Sequence, residues 1–106
     1  MFGIFKKDSR SVVHVNDMEE LIGKVELIDI REPYEYKSGS LRSAKNIPMD
    51  QLLIEPAKYM SKDKPYYLMC RSGARSARTC NLLMKQGYNV INVVGGIGSY
   101  VGTKRI

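Results

Sequence analysis

The sequence has no tryptophan, a single histidine and only two cysteines, Cys70 and Cys80. Two thiols are too few to staple a small secreted fold. Both are therefore expected to be free, with a reducing cytoplasm as the expected location. Together with His14 they make no ligand set at a recognisable spacing, so no metal site is expected. Nothing calls for a cofactor. No apolar run approaches the roughly 20 residues that cross a bilayer. The opening MFGIFKK also lacks the apolar centre of about 7–15 residues that marks a secretory signal, and membrane contact is not expected.

What is present is a balanced globular composition, 43% hydrophobic and 26% charged, in 106 residues. That suits one folded domain with one core. Residues 1–11 read as an N-terminal extension and residues 12–106 as the domain. Lys and Arg exceed Asp and Glu by 17 to 11, a balance that favours anionic partners. The cations are scattered and no aromatic-studded basic motif occurs, which argues against nucleic acid.

Strand and helix signals alternate along the chain. Val12 to Val15 is a β-branched run. Asn16 with Glu19 three residues on resembles a capping box, and Met18, Leu21 and Ile22 supply an apolar stripe that Gly23 would end. VELIDI, Val25 to Ile30, reads as a strand, after which Pro33 suits the first turn of a short helix ending near Gly39. Ala44 to Ile47 predicts another short strand. Asp50 is a candidate cap for a helix carrying Leu52, Leu53, Tyr59 and Met60, which Pro56 divides into two pieces. Tyr66 to Met69 is an apolar strand; Ala77, Cys80, Leu83 and Met84 recur at helical spacing; Gly87 closes that helix; and Val90 to Val94 is the last strand, before Gly95-Gly96. Strands separated by helices predict an α/β fold, a parallel sheet covered on both faces. Sites in such sheets form beyond the carboxyl ends of strands, where Cys70 falls.

The segment YLMCRSGARS sets Cys70 between a buried strand and a helix amino terminus. Gly73 permits a tight loop, whose successive N–H groups converge on an anion while the helix dipole points the same way. Arg71 and Arg75 add positive charge. An ordinary thiol, pKa about 8.5, is only a few per cent ionised at neutral pH, and each 1.4 kcal/mol or so of thiolate stabilisation lowers that pKa by about one unit. Cys70 is thus the candidate nucleophile. Cys80 lies on the apolar stripe of its helix and reads as core, with a resolving thiol as the lesser alternative. His14 reads as structural.

On these residues the chain resembles the rhodanese family. LIDIREPYEYKSGSLRSAKNIPMDQL is similar to its first block, CRSGARS to its active-site loop, and VINVVGGI after Gly87 to its closing block. The resemblance runs from about Val12 to Tyr100. It implies a single rhodanese-like domain with a five-stranded parallel sheet and helices on both faces. It also implies thiosulfate sulfurtransferase chemistry. Cys70 takes the outer sulfur of a small anionic donor such as thiosulfate as a persulfide, then passes it to cyanide, a thiol, or a redox or sulfur-carrier protein. The loop from Arg71 through Ser72, Gly73 and Ala74 to Arg75 would cradle the sulfur, with Arg71 or Arg75 holding the oxyanion end. Asp29, Arg31 and Glu35 would support the site structurally, for instance through an Arg31–Glu35 ion pair. The chain departs from the family at Gly39-Ser40, where Gly-His is frequent, and at Tyr100, where Trp is frequent.

Two rivals share this loop. Phosphatases and arsenate reductases of the same fold place Arg six residues after the nucleophile; here that position is Ser76, and Arg75 falls one short. A persulfide carrier or binding module serving a partner protein would use the same Cys70 without turnover of free thiosulfate.

Overall fold

The computed structural model describes residues 11–106, so most of the expected extension, residues 1–10, lies outside the described residues. Five strands form one sheet: β1 Val12–His14, β2 Glu26–Asp29, β3 Lys45–Asn46, β4 Tyr66–Met69 and β5 Val90–Val94. They are all parallel, in the order β1-β5-β4-β2-β3. The helices are α1 Pro33–Lys37, α2 Met49–Ile54 and α3 Ala74–Lys85, with 3₁₀ turns at Val15–Met18, Pro56–Lys58 and Ile97–Ser99. No helix among the described residues is long and apolar enough to cross a membrane.

The central strand β4 explains the layering. Leu68 and Met69 are both fully buried, yet their side chains leave opposite faces of the sheet. Leu68 enters a cluster with Ile28, Ile30, Leu52, Cys80, Leu83 and Val90. Met69 enters a second cluster with Val15, Met18, Leu27, Leu41, Val93 and Ile97. A strand covered on both sides must be apolar throughout, as the YLM run before Cys70 is.

Helix α3 forms because Ser76, Thr79, Cys80 and Leu83 make one buried stripe. It ends where Gly87, at φ +97°, takes a left-handed conformation. The N–H of Gly87 then donates to the Met84 carbonyl at 3.0 Å and that of Tyr88 to Leu83 at 3.1 Å, a Schellman closure. Pro56 does separate α2 from a following 3₁₀ turn.

The expected helix after Asn16 is not formed. A 3₁₀ turn covers Val15–Met18 and irregular turns continue to Gly23. The reason lies in Asn16 itself. Its side chain donates to the Ser99 carbonyl at 3.0 Å and accepts from the Val101 N–H at 2.9 Å. It tethers a segment more than 80 residues away and does not cap its own helix. At α2, Asp50 lies in the first turn and the cap position belongs to Pro48.

Candidate active site

Cys70 follows the last residue of β4, and its backbone is clamped from the loop after β5. The Ile97 N–H donates to the Cys70 carbonyl at 3.0 Å and the Gly98 N–H to the Arg71 carbonyl at 2.9 Å. Gly96 makes this approach possible: a Cβ there would collide with both the Cys70 and the Arg71 carbonyls. The glycine pair after β5 therefore acts on the loop that carries the sulfur.

The chain reverses at Gly73, φ +101°, the cap residue of α3. Its N–H points back at the Cys70 Sγ at 3.1 Å, and the Ser76 N–H approaches at 3.4 Å. The Ser76 hydroxyl also stands 3.4 Å from Sγ. Cys70 is buried, and burial alone pushes its thiol up. The Ser76 hydroxyl, with the N–H groups of Ser76, Gly73 and Ser72, pulls the other way and wins, so the pKa falls below the ordinary thiol value. Convergent amides, the feature expected of Arg71–Arg75, come from Gly73 within that stretch and from Ser76 just beyond it. The Ala74 N–H turns instead to the Ser72 hydroxyl at 3.5 Å, and the side chains of Arg71, Ser72 and Ala74 face solvent.

Arg75 does not point at the sulfur. Its Nη1 and Nη2 donate to Glu35 Oε1 and Oε2 at 2.9 and 3.0 Å. The Arg75 guanidinium holds the Glu35 carboxyl at a pKa of about 2. Glu35 Oε1 also accepts from the Glu32 N–H at 3.0 Å, closing the capping box of α1. One carboxylate thus fastens α1 to the active loop.

This corrects the Arg31–Glu35 pair expected from the sequence. Arg31 pairs with Asp29: Nε lies 3.0 Å from Oδ1 and Nη2 2.8 Å from Oδ2, with both residues buried. Residues two apart on an extended segment place their side chains on the same face, which a sequence comparison with Glu35 does not reveal. Ser40, where the family frequently has His, donates its hydroxyl to Asp29 Oδ2 at 2.7 Å. Arg31 Nη2 reaches the Gly39 carbonyl at 2.6 Å. The Asp29 carboxylate is used up in this brace and makes no hydrogen bond to Cys70.

Two residues of the site escape a reading of the sequence motifs. Ser76 reads there only as a position that lacks Arg. Asn92 sits in mid-β5, almost buried; its Oδ1 accepts from the Ser76 hydroxyl and its Nδ2 donates to the Gly73 carbonyl at 3.3 Å. The signal was there: an amide at an inward position of VINVV must be satisfied, and nothing local satisfies it. Cys80 is buried one helical turn beyond Ser76, its thiol pushed up to about 12 by burial and by the neighbouring Cys70.

Comparisons with known proteins match the chain as a whole. The family model "Rhodanese-like domain" matches residues 14–103. A putative sulfurtransferase of Bacillus subtilis, YtwF, is 40% identical over 76 residues, covering 72% of this chain and 73% of that one. A sulfurtransferase of Allochromatium vinosum is 43% identical over 72 residues, covering 67% and 66%. The chain spans 63–73% of the length of the first three curated relatives. The crystal structure of a rhodanese-related protein from Thermoplasma volcanium superposes with a TM-score of 0.79 at 34% identity, over 90% of this chain and 96% of that one.

Proposed function

The chain belongs to the rhodanese-like domain family, and from that premise we propose that it is a sulfurtransferase working through a persulfide on Cys70. The observation that carries the reading is the pair of backbone N–H groups, Gly73 at 3.1 Å and Ser76 at 3.4 Å, aimed at the Cys70 sulfur. Donors fixed on an anion before it reacts stabilise charge without reorganisation. They serve the Cys70 thiolate both as it attacks the donor and as it is released when the persulfide is spent.

With thiosulfate as donor, the Cys70 thiolate attacks the outer sulfur. A Cys70 S–S bond forms, the donor S–S bond breaks, and its electron pair leaves with sulfite. In the second half an acceptor thiolate or cyanide attacks the outer sulfur of the persulfide, and the electron pair of the broken bond returns to Cys70. Because Arg75 is paired with Glu35, it is not free to hold the oxyanion of the donor. A phosphatase reading fares worse: Ser76 occupies the position where that chemistry needs a guanidinium, and its hydroxyl faces the sulfur.

Thiocyanate formation from thiosulfate and cyanide, lost in Cys70→Ser, tests this function. Transfer from a protein persulfide with none from thiosulfate would make the chain a carrier. Hydrolysis of p-nitrophenyl phosphate at a comparable rate would overturn the sulfur chemistry.

A further inference from the structure

Across the active loop from Cys70 lies a polar hollow of about 190 Å³ lined by Arg31, Arg71 and Arg105, with Ser38, Gly39 and Gly98. Arg31 is neutralised by Asp29. Among the described residues, neither Arg71 nor Arg105 forms an ion pair. Both sit on steered stems. Arg105 is bridged to Leu41 through its backbone, lies with its guanidinium carbon 5.5 Å from the centre of the Tyr100 ring, and donates from Nη2 to the Tyr100 carbonyl at 3.2 Å. The Arg71 stem lies beside Gly98, and a Cβ there would press on the Arg71 carbonyl.

We infer that this hollow seats a carboxylate of the sulfur acceptor, a thiol-bearing molecule considerably larger than thiosulfate. The inference rests on the persulfide reading of Cys70. Consecutive residues on extended backbone project to opposite faces. Cys70 belongs to the cluster beneath α3, whereas Arg71 meets Ile97 and Gly98 in the hollow. The groups that touch Sγ, Gly73 and Ser76, do not line it. A bound oxyanion there stands across the backbone from the reacting sulfur. Thiosulfate oxygens are two bonds from its outer sulfur and cannot fill both places. A thiol whose carboxylate is many bonds removed can. Guanidinium suits a planar carboxylate, which it binds through paired N–H donors.

S-methylglutathione tests the seat, since it keeps both carboxylates and cannot accept sulfur. Calorimetric titration of the full chain should show binding, weakened about tenfold or more for the diethyl ester and for Arg105→Gln, as loss of a charge-assisted contact predicts. A thermal melt of each variant checks folding. Should Arg105→Gln fail to fold, Arg71→Gln replaces it with the same expectation. Equal affinity for acid and ester, or wild-type affinity in the folded variant, overturns the inference. The two readings fail separately: equal affinities with a persulfide still formed on Cys70 sink the seat alone, while intact discrimination with no persulfide overturns the acceptor role together with sulfur transfer.

Discussion

Glu35 grips the Arg75 guanidinium with both carboxylate oxygens, at 2.9 and 3.0 Å, across 40 residues of sequence. The contact joins α1 to the first turn of α3 and takes Arg75 away from the sulfur. It does not act alone, because the same carboxylate closes the cap of α1.

The pair has a pH signature. The folded protein holds Glu35 ionised down to a pKa of about 2, below the usual 4.5. A depressed acid contributes fully above its unfolded value, and the contribution disappears as pH falls from about 4.5 toward 2. Exposed pairs are worth about 0.2–1 kcal/mol; this one is bidentate and mostly covered, so about 1–2 kcal/mol is expected. Urea unfolding should show Glu35→Gln less stable than wild type by that amount at pH 6, with the gap narrowing below about pH 4.5 and closing toward pH 2. A gap independent of pH would contradict the assignment.

Ser76 lowers the Cys70 pKa through its hydroxyl as well as its amide. Ser76→Ala removes only the hydroxyl. The pH midpoint of iodoacetamide alkylation at Cys70 should therefore rise by about half a unit to one unit, since a single charge-assisted hydrogen bond is worth about 1 kcal/mol or somewhat more. An unchanged or lowered midpoint would mean that the Ser76 hydroxyl keeps donating to Asn92 Oδ1 in the thiolate form.

Cys80 should behave as core. Its thiol, pushed up to about 12, is expected to resist alkylation at pH 8 until denaturant is added. Cys80→Ala should keep sulfur transfer within about twofold while losing about 1 kcal/mol of stability to the small void left behind. Loss of transfer in a folded Cys80→Ala protein would assign the thiol a chemical role.

Gly96 couples the loop after β5 to the sulfur. Gly96→Ala forces a methyl group against the Cys70 and Arg71 carbonyls and should cost about 1–3 kcal/mol in backbone strain. Transfer activity should fall further than this stability loss explains, because the amides around Sγ move with Cys70. Activity retained in proportion to the folded fraction would show that the clamp is only structural.

The sequence carried most of the fold and the place of Cys70 at the end of β4 because those signals are local. A continuous apolar run marks β4, the 76–79–80–83 stripe marks α3, and Gly73 and Gly87 mark its ends. Pairings set by the third dimension were out of reach. Asn16 has the composition of a helix cap and is used instead as a tether to Ser99 and Val101. Arg31 stands four residues from Glu35 in the sequence, and only the folded chain brings Arg75, 40 residues away, to that carboxylate. Arg105 enters the site because residues 104–106 lie beside residues 40–42, with the Arg42 N–H donating to the Lys104 carbonyl at 2.8 Å, a contact with no periodic signature.

The most direct measurement is intact and peptide mass spectrometry after incubation with thiosulfate under non-reducing conditions. One added sulfur atom, confined to the peptide containing Cys70, removed by cyanide and absent in Cys70→Ser, is the predicted result. An unmodified Cys70 peptide under conditions where iodoacetamide alkylates that thiol, or sulfur found on Cys80 instead, would contradict it.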